Sequence, residues 1–155
     1  MRPGFTTLEL FLTIAVLGIT AATVFVPLAG LQGRSALSDG AAGLTAAFRR
    51  AETQALAGYR ADAWGIHLSD SDGCALPSGK YHVFRGGVFT SATDTIDSLN
   101  LPTGVAITGL SIGGGCDVKF ARYDGSTTST GTVTLTGPNG TRTITINGYG
   151  GILLQ

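Results

Sequence analysis

An uncharged apolar run near the start of the chain limits what the chain can fold into. From Leu10 to Leu31 there are 22 residues without a charge, rich in Leu, Ile, Val, Phe and Ala. A helix needs about 20 such residues to cross a bilayer core. Glu9 stands immediately before the run, and it is the single charge between Arg2 and Arg34. An acidic side chain at mid-membrane costs roughly 2.5–3.5 kcal/mol, so Glu9 predicts a function that involves a nearby partner.

Two simpler interpretations compete with a functional transmembrane helix. A secretory signal peptide also has a cation before its apolar core, but that core usually has only about 7–15 residues and ends at a cleavage site of small residues. Ala21-Ala22-Thr23 and Ala29-Gly30 are candidates for such a site. A plain membrane anchor is the second alternative, and it leaves Glu9 unexplained.

The residues around Glu9 carry a family resemblance. Gly4-Phe5-Thr6-Thr7-Leu8-Glu9 resembles the class III signal of type IV pilins and type II secretion pseudopilins. The resemblance implies that a prepilin peptidase and methyltransferase cuts after Gly4 and N-methylates Phe5, the new N-terminus. It also implies that Glu9 of one subunit pairs with the N-terminal amine of a neighbour during assembly. Such pairing would favour one axial register, because an unpaired carboxylate in an apolar bundle is strongly unfavourable.

The segment before the cleavage position departs from the family pattern. This leader spans residues 1–4, and Pro3 occupies the place of the usual basic residue. Arg2 still supplies a positive charge that favours a cytoplasmic N-terminus. The sequence therefore predicts a single-pass protein of the inner membrane whose C-terminal domain is periplasmic or extracellular.

The apolar run contains helix-weakening residues. Gly18 and Pro27 predict kinks or local loss of helix, since proline removes one intrahelical hydrogen bond. Gly30, Gly33, Gly40 and Gly43 predict a further break in the middle of the helix. Both residue types are also common in ordinary transmembrane helices.

A second helical segment follows the apolar run. Six apolar residues repeat at spacings of three and four and form one stripe: Leu37, Ala41, Leu44, Phe48, Ala51 and Ala55. Gly58 lies just past its end, where glycine typically stops a helix. We therefore expect one long helix, with a transmembrane, filament-core part at residues 5–31 and an amphipathic part at residues 32–58.

The rest of the chain, residues 59–155, has the pattern of a β-rich globular domain. Short alternating runs bounded by turn residues predict seven strands, at Trp64–Leu68, Lys80–Phe84, Val105–Leu110, Cys116–Arg122, Thr132–Thr136, Thr141–Ile146 and Ile152–Leu154. Pro138-Asn139-Gly140 predicts a tight hairpin, and Val88–Pro102 has the pattern of a long polar loop. The predicted fold is α+β and pilin-like, with the helix packed on antiparallel strands.

A less specific resemblance covers the end of the helix and the first strand. Ala51 to Leu68, which ends in Trp-Gly-Ile-His-Leu, resembles GspH/FimT-type minor pseudopilins and minor pilins. The resemblance implies a minor component of the filament.

The two cysteines, Cys74 and Cys116, fall in the part of the chain that is expected outside the cytoplasm, where thiols oxidise. A disulfide between them would close a long loop and stabilise the fold by roughly 4 kcal/mol if unstrained. A bridge is favoured, and two free thiols remain the alternative.

Sites for catalysis or metal binding are not apparent in the sequence. His67 and His82 lie on neighbouring predicted strands without ligand-like spacing, so we expect structural roles for them. Asp70-x-Asp72-Gly73 resembles a calcium loop but lacks the downstream glutamate. The sequence therefore predicts no cofactor, no metal site and no enzyme. An anchored enzyme stays the least favoured hypothesis.

The charge balance gives little support to a nucleic-acid partner. Beyond Arg34 there are eight basic and nine acidic residues, a net charge near −1. Nucleic-acid binding needs clustered cations, and the tail Gly148–Gln155 contains none. A DNA-binding minor pilin for DNA uptake is therefore the alternative function. The favoured function is a structural subunit of a type IV pilus or type II secretion pseudopilus, with other pilins, the peptidase, the membrane and the assembly machinery as partners.

Overall fold

The computed structural model describes residues 6–71, 73–90, 95–113 and 115–155, with the backbone alone for residues 23–34. One helix dominates it. Helix α1 runs without interruption from Thr7 to Leu56, which is 50 residues or about 75 Å at 1.5 Å per residue. Gly58 follows in the left-handed conformation, with φ 59°, and begins a short 3-10 turn at Tyr59–Ala61. The predicted stop at Gly58 is therefore confirmed.

The expected break in the middle of α1 is wrong for this structure. At Gly40, a Cβ atom would lie only 3.2 Å from Cδ of Pro102 and 3.3 Å from a methyl of Val105. Gly43 faces the Tyr81 hydroxyl at 3.8 Å. Gly40 therefore stands where the helix approaches the domain closely, whereas a Cβ atom at Gly43 would make an ordinary contact. The missing side chain gives room for packing, and tertiary contact holds a helix that propensity alone would weaken.

In the described residues after the helix, eight strands form two four-stranded antiparallel sheets. The strands are β1 (Trp64–His67), β2 (Lys80–Arg85), β3 (Thr95–Asn100), β4 (Ala106–Ile112), β5 (Asp117–Phe120), β6 (Gly131–Gly137), β7 (Gly140–Ile146) and β8 (Ile152–Leu154). The first sheet has the order β3-β2-β1-β5, and the second has the order β4-β6-β7-β8. A bridge between Ser78 and Ile107, with backbone bonds of 3.0 and 2.8 Å, joins the two sheets. All seven predicted strands are present within a few residues of their expected bounds.

Strand β3 corrects the expectation of a loop over Val88–Pro102. Its residues alternate between half-buried and exposed, and Leu99 is the one large apolar side chain that packs inward. The strand is polar because it forms the edge of the first sheet, where backbone pairing with β2 supplies its order. Arg50 of α1 also reaches Asp97, with 3.5 Å between Nη1 and Oδ2. Backbone pairing and an ion pair do not require apolar residues at alternate positions. The sequence of β3 therefore lacks the apolar alternation that predicts a strand.

The hairpin between β6 and β7 forms where it was expected. Gly137 pairs with Gly140, so Pro138 and Asn139 are its two loop residues. Gly140 has a φ of 143°, which a residue with a side chain rarely adopts. The turn residues thus fix the register of the longest strand pair in the second sheet.

The hydrophobic core lies between the second half of α1 and the two sheets. Each residue of the predicted helical stripe is buried, and Leu44, Phe48, Ala51 and Ala55 have no exposed surface. They contact Trp64, Ile66 and Val118 of the first sheet and Val133, Leu135 and Ile144 of the second, within one cluster. The amphipathic half of α1 is therefore the element that holds the two sheets together.

Candidate functional site

The first half of α1 has surroundings unlike those of the second half. Every residue from Thr6 to Ala22 is exposed. Eight large apolar side chains there are 52–77% exposed: Leu8, Leu10, Phe11, Leu12, Ile14, Val16, Leu17 and Ile19. We call residues 6–22 the apolar segment. Within the described residues, no helix has both the length and the apolar content that a bilayer crossing requires.

The apolar side chains of this segment are distributed around the whole helix. Successive residues turn by about 100°, so positions 8, 10, 11 and 12 alone point in four different directions. A helix that is apolar on every side is typical of apolar surroundings, such as other helices or lipid. Each large side chain would contribute about 1.5–3 kcal/mol when fully buried. The segment therefore needs a partner that the single chain does not contain.

The helix begins with a cap that includes the candidate assembly residue. Thr6 is the N-cap, in extended conformation, and its hydroxyl oxygen accepts a hydrogen bond from the Glu9 N–H at 3.3 Å. Thr6-x-x-Glu9 is the pattern of a capping box. An acidic side chain in the first turn is also favoured by the helix dipole. The capping-box pattern is visible in the sequence, where Glu9 was interpreted only as an assembly residue.

Two hydroxyl groups of the apolar segment are satisfied within the helix. Thr13 donates to the carbonyl of Leu10 at 2.8 Å. Thr20 donates to the carbonyls of Val16 and Leu17, each at 3.0 Å. Such bonds to the preceding turn remove the need for water around these side chains. The segment can therefore enter apolar surroundings without leaving these hydroxyls unpaired.

The remaining predicted residues of this region fall partly outside the described structure. Gly4 and Phe5 lie outside the described residues, so cleavage and methylation stay predictions. At Gly18 the space beside the helix is open, with nothing within 4 Å of a Cβ position. The backbone is helical through Gly18 and Pro27 in the single chain. A loss of helix at those positions upon assembly also stays a prediction.

The two cysteines form the expected disulfide. Cys74 lies in the β1–β2 loop and Cys116 directly precedes β5, with their Cα atoms 5.4 Å apart. The Leu68 N–H donates to the Cys116 carbonyl at 2.9 Å, which extends the β1–β5 pairing towards the bridge. The disulfide fastens the long β1–β2 loop to the edge strand of the first sheet.

His67 is held by hydrogen bonds on both sides of its ring. Its Nδ1 lies 2.6 Å from Oδ1 of Asp117, and its Nε2 lies 2.7 Å from the carbonyl of Ser71. Both partners are acceptors, so a ring nitrogen that carries a proton donates to the partner it faces. Phe89 stacks on the ring, with centroids 4.0 Å apart. His67 thus fastens the β1–β2 loop to β5, the structural role that was expected.

His82 also has a local partner, and the two histidines do not form a metal site. Its Nδ1 lies 2.8 Å from the Ser98 hydroxyl across β2 and β3. Among the described residues, no group of three His, Cys, Asp or Glu side chains lies close enough together to hold a metal ion. Asp70 is exposed, and Asp72 lies outside the described residues. The structure therefore offers no support for the calcium-loop resemblance.

A long N-terminal helix, half exposed and half packed on antiparallel sheets, defines a pilin-like α+β fold. Among solved structures, the chain is similar to the type IV minor pilin FimU of Pseudomonas aeruginosa strain PAO1. The superposition has a TM-score of 0.57 and covers 79% of this chain and 90% of that chain, at 16% sequence identity. No protein-family model and no curated protein matches the chain. The likeness therefore establishes the fold.

Proposed function

We propose that the chain is a structural subunit of a type IV pilus or a type II secretion pseudopilus, and a minor component of it. One observation carries the proposal: the second half of α1 packs on its own domain along one stripe, whereas residues 6–22 expose apolar side chains on every side. A pilin-like fold supports the same function, and the similar solved structure is a minor pilin.

The proposed life cycle has two stages. In the first, the helical segment of residues 5–31 anchors the chain in the inner membrane, with the β-rich domain on the outer side. In the second, the peptidase cuts after Gly4, Phe5 is N-methylated, and the apolar segments of many subunits pack together. Packing of the apolar side chains against one another then keeps them out of water in the filament, as lipid did in the membrane. Glu9 pairs with the N-terminal amine of a neighbour and sets the register, because an unpaired carboxylate is costly there.

Mass spectrometry of the N-terminal peptide from membranes of the native host tests the first stage. A peptide that begins with N-methylated Phe5 is expected. A chain that still begins at Met1 would indicate a plain anchor. Cleavage after the apolar run would indicate a secreted domain, and either result would exclude the proposal.

The substitution Glu9→Ala tests the second stage. It removes the carboxylate but leaves Gly4, Phe5 and the Thr6 hydroxyl in place, so processing should continue and filament incorporation should fall. Thr7→Ala is the matched control in the same turn, because it changes one side chain and no charge. Normal incorporation of the Glu9→Ala chain would contradict the assigned role of Glu9.

A further inference from the structure

An exposed surface of two arginines and two tyrosines lies at the C-terminal end of α1. We call it the Arg/Tyr surface: Leu56, Tyr59, Arg60, Arg122 and Tyr123. Leu56, Tyr59 and Tyr123 are 45%, 50% and 64% exposed, and both arginines are exposed. Tyr and Arg are the residue types that most often dominate binding energy at protein interfaces. The composition of this surface therefore favours recognition of a partner.

The Arg/Tyr surface joins two separate loops into one unit. The N–H of Tyr123, from the loop after β5, donates to the Ala55 carbonyl at the helix end, at 2.9 Å. The Tyr123 ring occupies the place of a side chain at Gly58, where a Cβ atom would lie 2.3 Å from a ring carbon. The Trp64 indole N–H donates to the Tyr59 carbonyl at 3.1 Å. These contacts fix the two tyrosines before any partner arrives.

The backbone of this surface is strained. In the described part of the chain, three residues other than glycine have a positive φ: Arg60 (57°), Ala61 (59°) and Tyr123 (72°). All three lie in or beside the Arg/Tyr surface. Left-handed backbone at such residues is strained, and it concentrates at functional sites because the surrounding structure holds it in place. The strain is therefore a second observation that points to function.

The two guanidinium groups are backed by aromatic rings. Arg60 lies 5.6 Å from the centroid of the Tyr59 ring, and Arg122 lies 4.1 Å from that of Tyr123. Within the described residues, neither arginine has a carboxylate within salt-bridge distance. The adjacent Asp124 accepts hydrogen bonds from the N–H and hydroxyl of Ser126, and these hold the pKa of its carboxyl below the ordinary value. That carboxylate is engaged in its own turn. Arg122 donates one guanidinium N–H to the Tyr123 hydroxyl, and the remaining N–H groups of the two arginines face no carboxylate among the described residues.

The position of the surface limits the partner. In the first sheet, Trp64 pairs with Arg85 and Phe120, so these strand ends lie beside the end of α1. The apolar segment leaves the domain from the other end of the helix. If that segment is in a membrane, the Arg/Tyr surface is at the membrane-distal end of the domain. A lipid surface is then out of reach, whereas a neighbouring subunit is not.

We propose that the Arg/Tyr surface binds carboxylates on an acidic segment of a neighbouring protein subunit in the same assembly. The inference rests on the proposed function, because it names a partner within that filament. A guanidinium group can hold a carboxylate through two parallel hydrogen bonds. The tyrosine rings and Leu56 supply the apolar contact around them. Two arginines without ion pairs, in a domain of net charge near −1, are too few to bind the phosphate backbone of a nucleic acid.

Photo-crosslinking of the full chain in membranes of the native host tests this partner. A benzoylphenylalanine at position 56 reports contacts of the surface, and mass spectrometry identifies the linked peptide. The linked peptide should come from a filament subunit and contain Asp or Glu. Arg60→Glu with Arg122→Glu should lower the yield about tenfold or more, since close charge pairs at interfaces are worth several kcal/mol. Arg142→Glu, an exposed charge reversal on β7, is the control and should leave the yield unchanged.

Gly58→Ala provides a variant that alters no charge. It should displace the Tyr123 ring and lower the cross-link yield. Gly87→Ala, where a Cβ atom meets open space and φ is not positive, should leave the yield unchanged. A processed and incorporated chain with no cross-link, or with a yield that the arginine reversal leaves unchanged, would overturn this inference alone. Salt-sensitive DNA retention through the same arginines without a protein cross-link would also overturn it. An unprocessed N-terminus in the same sample would overturn the proposed function instead.

Discussion

The two halves of α1 have the same backbone conformation but different apolar patterns. In the second half, large side chains such as Leu44 and Phe48 alternate with alanines along one stripe, and polar residues cover the other side. In the apolar segment, residues 6–22 of the first half, large apolar side chains point in every direction and each of them is exposed. A single apolar stripe can be covered by the chain's own two sheets. A helix that is apolar all round needs several partners, which one chain cannot supply.

This difference separates folding from assembly. Substitutions in the second half should change the stability of the domain, whereas those in the first half should change membrane insertion and filament incorporation. Trp64 is the one tryptophan of the chain and it is buried, so its fluorescence reports domain unfolding by urea.

The largest expected effect comes from one matched pair of substitutions. Phe48→Ala should lower the free energy of unfolding by about 3–5 kcal/mol, because it leaves a cavity in the core. Phe11→Ala removes the same group from an exposed position, and it should change the domain by less than about 0.5 kcal/mol. Urea titration of each full chain in detergent, followed by Trp64 fluorescence, measures both. Equal effects would remove the distinction between the two halves.

Loss of the disulfide should have the next largest effect, and only on the domain. The double substitution of Cys74→Ser and Cys116→Ser should lower the free energy of unfolding by about 2–4 kcal/mol, since the bridge closes a long loop in the unfolded chain. The same titration measures the loss, and chemical reduction of the wild-type chain should reproduce it. Inner-membrane insertion should stay unchanged, because the bridge lies in the β-rich domain and not in the apolar segment. A change in insertion would contradict this separation.

Substitutions at two glycines of α1 should change stability in opposite directions. Gly40→Val should destabilise the domain by about 1–3 kcal/mol, because Pro102 and Val105 leave no room for the side chain. Gly18→Ala meets open space, and it should stabilise the helix by about 0.5–1 kcal/mol through propensity. Far-ultraviolet circular dichroism during thermal unfolding compares the two. A stabilising Gly40→Val would show that this close packing does not limit the helix.

The most local effect is expected at the first turn of α1. Thr6→Ala removes the acceptor of the Glu9 N–H and should destabilise the helix start by about 1 kcal/mol. Hydrogen exchange of the Glu9 amide should become faster, with the domain amides unchanged. Thr6→Ser keeps the hydroxyl and should preserve the slow exchange. Fast exchange in the serine variant would mean that the cap does not hold this turn.

Local sequence patterns were sufficient to predict much of this fold. The stripe from Leu37 to Ala55 and the stop at Gly58 each follow from a rule that acts within a few residues, and each is confirmed. The hairpin at Asn139-Gly140 follows the same logic. Strand β3 was missed because its order comes from pairing with β2 and not from its own residues. The cap at Thr6 was present in the sequence, but a functional interpretation of Glu9 took precedence.

The sequence by itself determined the long helix, the character of its two halves, seven strands and the pair of cysteines that could form a disulfide. These depend on periodicity, turn residues and composition, which are local properties. Tertiary structure decided that the strands form two sheets, that Gly40 serves close packing, and that Arg60 and Arg122 share one surface with two tyrosines. These features join residues far apart in the chain, and local preferences contain no information about which distant residues will meet.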